Sequence, residues 1–431
     1  ETNLFIWKKS SRCDTILSIL GGDTMDNKNY GFETLQIHAG QKPDVTTKAT
    51  GMPLYLSNAF TFEDADQAAR IFALEEGGYF YSRLSNPTVD ALQQRMAALD
   101  GGFGAVAFAS GTAAIMGLIM TVCETGDEIV AANNLYGGTI GSLSGTMAGM
   151  GFKTHFINPT DLEALKAAIN DKTKIIFVES VGNPNGDMLD FEAISAIAKE
   201  YQILFVVDNT TPTPYLFKPI EYGADLVVYS TTKYLAGHGN VMGGVIVDSG
   251  NFKWKDNPRY PLFNMPDKAY HDIVYADLGA GAFCTKAVAK TLRDLGGCMS
   301  PFNAYMTLLG LETLSLRMKK HVENARLLAK FLNESFVVGQ KAIETALTGK
   351  SGQVMGFKRI SNTPYEIDYI STDVRKVANL EQKIPTAWIN EAGNDITQEL
   401  YDYLYPLIQG EVHINYLNGI PAYYSCKHLN K

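Results

Sequence analysis

Short apolar runs alternate with amphipathic segments through the middle of the chain. Seven runs are predicted as buried strands, over 103–109, 128–132, 152–157, 174–178, 203–207, 224–229 and 244–247. Helical periodicity predicts helices over 113–122, 162–169 and 191–200, with Asp161 as the N-cap of the second. Strands that are apolar at nearly every position are typical of parallel sheets buried on both faces. The pattern therefore predicts an α/β fold, a mainly parallel sheet with helices on both faces.

Polar residues follow four of these predicted strands, directly after each strand ends. They are Ser110, Gly111 and Thr112 after the first strand, Glu179 and Asn183 after the fourth, Asp208 and Thr210 after the fifth, and Ser230, Thr232 and Lys233 after the sixth. The carboxyl ends of parallel strands meet at one edge of a sheet, and α/β folds bind their ligands there. We therefore expect these residues to line a single site.

Composition narrows the class of function. The 431 residues include 37 Lys plus Arg and 46 Asp plus Glu; the formal net charge of −9 argues against a nucleic-acid partner held by a basic surface. The chain is 46% apolar and 19% charged, as expected of a globular protein. No apolar run is long enough to span a membrane. Five scattered cysteines without a C-x-x-C pair favour a reducing, cytoplasmic location and no metal site.

The residues after the strands suit the cofactor pyridoxal 5'-phosphate (PLP). Ser110-Gly111-Thr112 opens a predicted helix, whose N-terminal amides and positive dipole end favour a phosphate group. The Lys233 amine can form a Schiff base with the aldehyde, and Asp208 can keep the pyridine nitrogen protonated. Tyr136, in a glycine-rich loop, can stack on the ring. The sequence therefore predicts a PLP site at the carboxyl edge of the sheet.

Residues from about 30 to 332 resemble the Cys/Met-metabolism family of PLP enzymes. The motifs that carry the resemblance are Tyr81-Ser82-Arg83, Asn86-Pro87-Thr88, Ser110-Gly111-Thr112-Ala113-Ala114, Asp208-Asn209-Thr210, Thr213-Pro214-Tyr215, Ser230-Thr231-Thr232-Lys233-Tyr234 and Gly237-His238-Gly239. The resemblance implies fold type I, the aspartate-aminotransferase-like fold. Gly182-Asn183-Pro184-Asn185 and the stretch 295–324 resemble the O-acetylhomoserine sulfhydrylase branch of that family.

This resemblance also implies roles for individual residues. Lys233 would bind PLP and shuttle protons, Asp208 would pair with the pyridine nitrogen, and Tyr136 would stack and assist proton transfer. The remaining cofactor-binding residues would be Gly111, Thr112, Ser230 and Thr232 at the phosphate, Thr210 at the ring hydroxyl, Glu179 and Asn183 beside cofactor and substrate, and Tyr81 and Arg83 at the phosphate of a neighbouring subunit. The active unit would then be a homodimer or homotetramer with shared active sites.

The reaction that the resemblance implies replaces the acetoxy group of O-acetylhomoserine by sulfide or a thiol, and it yields homocysteine or methionine plus acetate. A methionine γ-lyase or a cystathionine γ-synthase-like enzyme is an alternative, although methionine γ-lyases usually carry a cysteine where this chain has Gly138. A hybrid that binds PLP without turnover is a further alternative, because no segment matches the C-terminal arginine with which this family grips the substrate carboxylate.

Both ends of the chain differ from the middle. Residues 1–24 are expected to be translated leader before a start at Met25, followed by an N-terminal arm over 25–85 and a PLP-binding large domain over 86–333. Residues 334–431 resemble the C-terminal fragment of a pyrophosphate-dependent phosphofructokinase, as in Thr348-Gly349-Lys350-Ser351-Gly352 and Gly393-Asn394-Asp395-Ile396-Thr397. That family's phosphoryl-transfer motifs are absent, so no kinase activity is expected. The family's own C-terminal domain is thus expected to be replaced, across a misassembled join near 333–338.

Overall fold

Seven strands form the central sheet in the computed structural model of the chain. The strands are β1 Gly104–Phe108, β2 Glu128–Ala132, β3 Lys153–Ile157, β4 Thr173–Glu179, β5 Leu204–Asp208, β6 Leu226–Ser230 and β7 Gly244–Asp248. Their order in the sheet is β1-β7-β6-β5-β4-β2-β3. Only β7 runs antiparallel to its two neighbours, β1 and β6. The predicted α/β fold with a mainly parallel sheet is confirmed, and six strands end at the same edge.

The structure describes residues 30–73, 75–362, 365–377, 385–389, 397–404, 415–417 and 420–422. The expected leader over 1–24 lies outside these ranges, and so does most of the Gly393-Asn394-Asp395-Ile396-Thr397 motif. The chain divides into two compact units, with the boundary between His321 and Val322.

Helices cover the sheet in the first unit. The α-helices are Phe32–His38, Ala65–Phe72, Pro87–Asp100, Gly111–Val122, Gly137–Gly141, Leu162–Ala168, Phe191–Glu200, Thr213–Leu216, Pro261–Asn264, Ala282–Lys286, Arg293–Leu295 and Pro301–Leu311. Two π-helical turns, Ser142–Met147 and Ala287–Leu292, and two 3₁₀ segments, Pro219–Tyr222 and Tyr275–Gly281, complete the unit. The sheet is the centre of the core, since β1, β2, β4 and β7 are buried along their whole length.

N-caps decide where several of these helices begin. The Asp161 carboxylate accepts a hydrogen bond from the Ala164 amide at 2.9 Å, as the sequence predicts. The helix predicted over 113–122 begins two residues earlier, at Gly111, because the Ser110 hydroxyl accepts a hydrogen bond from the Ala113 amide at 3.0 Å. This early start brings the first amides of the helix to the carboxyl end of β1.

A single α-helix, Leu314–Leu347, begins in the first unit and continues into the second. It runs without a break through 333–338, where the sequence suggests a join. The second unit also contains an antiparallel hairpin of β8 Gln353–Asn362 and β9 Tyr365–Asp373, the 3₁₀ segments Val374–Lys376 and Thr386–Trp388, the helix Gln398–Leu404, and the short pair β10 Asn415–Leu417 and β11 Ile420–Ala422. Large apolar side chains on this part of the long helix are exposed, among them Phe331, Phe336 and Ile343.

Within the described part of the chain, every helix is too short or too polar to cross a lipid bilayer. The same ranges hold no cluster of three or more His, Cys, Asp or Glu side chains that could bind a metal ion.

Candidate active site

A cavity of about 660 Å³ opens at the carboxyl edge of the sheet. It is lined by most of the residues that the sequence assigns to the site, namely Gly111, Thr112, Tyr136, Glu179, Asn183, Asp208, Thr210, Ser230, Thr232 and Lys233. Segments that are far apart in the sequence therefore meet where the parallel strands end, as the strand pattern predicts.

The N-terminus of the Gly111–Val122 helix forms one wall of the cavity. The first amides of an α-helix have no carbonyl partner within the helix, so they are available to an anion. A Cβ atom at Gly111 would lie 2.7 Å from the Cβ of Ser230, so only glycine permits this approach of the helix to the end of β6. Helix amides and the Ser230 hydroxyl thus stand together as donors, an arrangement that fits a phosphate group.

Asp208, the last residue of β5, is held by its neighbour Thr210. Its carboxylate accepts hydrogen bonds from the Thr210 amide at 3.0 Å and from the Thr210 hydroxyl at 2.5 Å. The same hydroxyl oxygen accepts a hydrogen bond from the Ser230 amide at 2.9 Å. Burial raises the pKa of Asp208, because the charged carboxylate is no longer hydrated. A protonated pyridine nitrogen would supply the missing countercharge, so this carboxylate fits PLP.

Glu179 ends β4 and lies opposite Asp208 in the register of the two strands. Its Oε1 accepts a hydrogen bond from the Tyr136 amide at 2.6 Å. Burial, together with the nearby Asp208 charge, raises the pKa of Glu179 to about 8. The bond fixes the loop that carries the Tyr136 ring, and 54% of that tyrosine is exposed. A Cβ atom at Gly138 would overlap this ring, so glycine is needed for its present position.

The loop after β6 presents Lys233, whose side chain is exposed. Its carbonyl accepts a hydrogen bond from the Gly237 amide at 2.9 Å, which closes the loop. The Thr232 hydroxyl lies 3.3 Å from the carbonyl oxygen and 3.2 Å from the amide of Gly243, which precedes β7. On the other side of the cavity, the Asn183 amide donates to the Asn134 carbonyl at 3.0 Å.

Tyr81 and Arg83 do not line this cavity. The Arg83 guanidinium lies 5.3 Å from the centre of the Tyr81 ring, and it donates to the carbonyl oxygen of Arg293. The expectation that both residues serve the site of a neighbouring subunit stays a prediction.

Two basic residues that sequence reasoning missed, Arg317 and His321, also line the cavity. They are four residues apart on the Leu314–Leu347 helix, so they share one of its faces. The His321 ring lies 5.1 Å from the ring of Tyr234, which follows Lys233. Their spacing is visible in the sequence, but they lie on a helix and not at the end of a strand, where the sequence predicts the site.

Comparisons with known proteins agree with this geometry. An O-acetyl-L-homoserine sulfhydrylase of Leptospira meyeri is 45% identical over 322 residues, which are 73% of this chain and 72% of that protein. A homocysteine synthase of Schizosaccharomyces pombe is 45% identical over 306 residues, 70% of this chain and 71% of its own length.

A crystal structure from Campylobacter jejuni superposes with a TM-score of 0.69 and 39% sequence identity, over 71% of this chain and 76% of the other. It is described as a candidate O-acetylhomoserine (thiol)-lyase that contains N'-pyridoxyl-lysine-5'-monophosphate. The family model for Cys/Met metabolism PLP-dependent enzymes matches residues 33–347. The match therefore extends past residue 332, the end of the resemblance predicted from the sequence. With this match and these relatives, the chain belongs to the Cys/Met metabolism family of PLP-dependent enzymes.

Proposed function

We propose that the protein catalyses a γ-replacement on O-acetylhomoserine. Sulfide or a thiol takes the place of acetate, and the products are homocysteine or methionine plus acetate. The observation that carries the proposal is the cavity in which Lys233, Asp208 and the N-terminus of the Gly111–Val122 helix meet. The named activities of the relatives support the same reaction.

The residues of the cavity have different roles in this reaction. PLP, when bound, supplies an electron sink, which makes the proton on the substrate's α-carbon more acidic. The Lys233 amine would hold the cofactor, and it would take and return protons at the substrate's carbon atoms. The Asp208 carboxylate holds the proton of the ring nitrogen, and its two bonds from Thr210 keep it in place.

The other residues of the cavity bind and orient. The amides of Gly111 and Thr112 hold the phosphate together with the hydroxyls of Ser230 and Thr232. Tyr136 would stack on one face of the ring and assist proton transfer, and its amide is held by the hydrogen bond to Glu179. Thr210 would contact the ring hydroxyl, and Glu179 and Asn183 would position cofactor and substrate.

We further propose that the active form is at least a homodimer and in the full assembly a homotetramer. Support comes from Tyr81 and Arg83, which lie outside the cavity of their own subunit, as expected if they complete the site of a neighbour. A cytoplasmic location suits small charged substrates of this kind. The assignments of an N-terminal arm over 25–85, a large domain over 86–333 and a phosphofructokinase-like fragment without kinase activity over 334–431 remain part of the proposal.

The decisive assay supplies the full chain with PLP, O-acetylhomoserine and sulfide. Equal amounts of homocysteine and acetate are expected, because one acetate leaves for each sulfide that adds. Methionine alone and O-acetylhomoserine with cysteine serve as the comparison substrates. Release of methanethiol from methionine would point to the γ-lyase instead, and cystathionine as the preferred product would point to the synthase. Bound PLP without any product would point to the inactive hybrid.

A further inference from the structure

Within the described part of the chain, the hydrogen bonds of Arg317 do not include a carboxylate. Its guanidinium binds main-chain oxygens instead: Nη1 donates to the Tyr234 carbonyl at 2.7 Å, and Nη2 donates to the carbonyls of Leu235 at 3.3 Å and Gly310 at 2.7 Å. The Nε atom donates to the Thr313 hydroxyl at 3.1 Å. One half-buried cation therefore joins the two residues after Lys233 to the end of the Pro301–Leu311 helix.

The Pro301–Leu311 helix also restrains the main chain of the segment that follows Lys233. A Cβ atom at Gly310 would overlap the carbonyl of Ala236, so the Pro301–Leu311 helix touches the loop backbone directly. The Ala236 amide in turn donates to the Thr231 carbonyl at 3.0 Å. Lys233 thus sits at the start of a short segment whose main chain is fixed by Arg317 and by Gly310.

Arg317 could instead be read as the arginine that grips the substrate carboxylate, since it lines the cavity. That role needs the two parallel N–H groups of the fork to be free for the carboxylate. Here both terminal nitrogens already donate to protein carbonyls, and Nε is bonded to Thr313. The geometry therefore favours a structural task close to the lysine over a contact with substrate.

We propose that Arg317 is the positioning residue for Lys233: by fixing the carbonyls of Tyr234 and Leu235, it holds the lysine amine where it can bond the cofactor and reach the substrate's protons. This inference rests on the proposed function, because it assigns the same task to Lys233. A lysine at 317 keeps the positive charge but cannot present a planar fork to several carbonyls at once.

Arg259 provides a matched control at the opposite edge of the sheet. Its Nε donates to the Tyr201 carbonyl at 2.8 Å, and its Nη1 donates to the carbonyls of Asn170 at 2.9 Å and Thr173 at 3.1 Å. It is half-buried like Arg317, but it does not line the cavity that holds Lys233. R259K therefore removes the same kind of interaction from a place that has no link to the lysine.

The experiment compares wild type, R317K and R259K as full-length proteins. Each is freed of PLP, checked for folding by thermal unfolding, and mixed with PLP. The Lys233–PLP bond is then fixed with borohydride at successive times, and the labelled Lys233 peptide is measured by mass spectrometry. We expect R317K to form this bond more slowly and to lose kcat by roughly ten- to a hundredfold, with a much smaller change in KM, because a small misplacement of a reacting group has that effect. R259K should match wild type in both.

Equal labelling rates in R317K and wild type would overturn the inference, and so would an equal loss in R259K. If R317K does not fold, T313V takes its place, since it keeps Arg317 but removes the acceptor of Nε. Slower labelling in T313V would support the inference, and unchanged labelling would overturn it. Absence of label on Lys233 in wild type would instead overturn the proposed function itself.

Discussion

The two edges of the central sheet carry the same kinds of residues and arrange them differently. At the amino edge, Glu128 begins β2 and lies between two side-chain partners, His155 at 2.6 Å and Asn170 at 2.7 Å. At the carboxyl edge, Glu179 ends β4 and is bonded to the Tyr136 amide beside an open cavity. The first glutamate has its hydrogen-bond partners supplied by protein side chains. The second lies where a ligand must complete its surroundings.

Cavity size does not separate the two edges. The amino edge has a cavity of about 840 Å³, larger than the one that holds Lys233. Polar groups in its wall bond to main chain: Asp225 accepts from the Phe205 amide at 2.8 Å, and Ser195 donates to the Gly223 carbonyl at 3.2 Å. Both cavities contain a lysine and a buried aspartate, but at the carboxyl edge these stand with the N-terminus of the Gly111–Val122 helix, and together they suit the different parts of one cofactor.

The strongest test of this contrast is the removal of one lysine from each edge. K233A should lower kcat by at least about 10²–10⁴-fold, because it removes the group that transfers protons. K199A alters a lysine of the amino-edge cavity and should leave kcat within a factor of about two, since that side chain has no part in the proposed chemistry. Steady-state kinetics of both variants with O-acetylhomoserine and sulfide measures the difference. A comparable loss in K199A would remove the distinction between the edges.

A pair of aspartates gives the next largest effect. D208N keeps the shape of the side chain but removes the charge that holds the ring proton, and it should lower kcat by about 10²–10³-fold, as removal of one preorganised electrostatic contact does. D225N changes a buried aspartate at the amino edge, where its carboxylate accepts a hydrogen bond from the Phe205 amide. This substitution should alter thermal stability far more than kcat. The visible spectrum of the bound cofactor should change in D208N only. An unchanged spectrum and rate in D208N would contradict the assignment.

Two adjacent glycines test the position of the Tyr136 ring. G138A should lower kcat by roughly tenfold, since its Cβ would overlap the ring and displace it. At Gly137 an added Cβ meets nothing within 4 Å, so G137A should be close to wild type. Both substitutions replace glycine by alanine in the first turn of the Gly137–Gly141 helix, so backbone effects are matched. Equal rates in the two variants would show that the ring position is not critical.

The smallest effects concern stability and pH. Burial raises the pKa of Glu179 from 4.5 to about 8, so the folded state holds a proton that the unfolded state has lost. The free energy of unfolding contributed by this group therefore falls as pH rises from about 4.5 to 8. E179Q should become progressively more stable relative to wild type across that window. Urea unfolding at several pH values measures the difference.

Glu128 should behave in the opposite way. Hydrogen bonds from Asn170 and His155 lower its pKa, so its contribution is present above the unfolded value of 4.5 and is lost as pH falls through the folded pKa. E128Q should lower the free energy of unfolding at neutral pH by about 1 kcal/mol, and the deficit should shrink in acid. The same unfolding series serves both glutamates, and parallel curves for the two variants would contradict the contrast.

The sequence predicted the sheet and the centre of the site because both depend on local signals. Continuous apolar runs marked the strands, and the residue after each strand fell at the shared edge. The sequence took Ser110-Gly111-Thr112 as the opening of a helix but set its periodic part at 113–122, and the hydrogen bond of Ser110 with Ala113 places the first helical residue at Gly111. The role of Arg317 could not be predicted from the sequence, because tertiary packing brings its partners Tyr234 and Gly310 to it. The β8–β9 hairpin was also missed, since its apolar residues stay largely exposed and give no clear burial pattern.

The antiparallel strand β7 has a consequence for biosynthesis. It separates β1 from β6 in the sheet, and β1 pairs only with β7 among the strands of that sheet. Ser110 and Ser230, which line the same cavity, are therefore held together only when β7 lies between their strands. Such non-local pairings form late and slowly. We therefore expect PLP to bind firmly only to a chain that has been synthesised beyond Asp248, once β7 has closed the sheet.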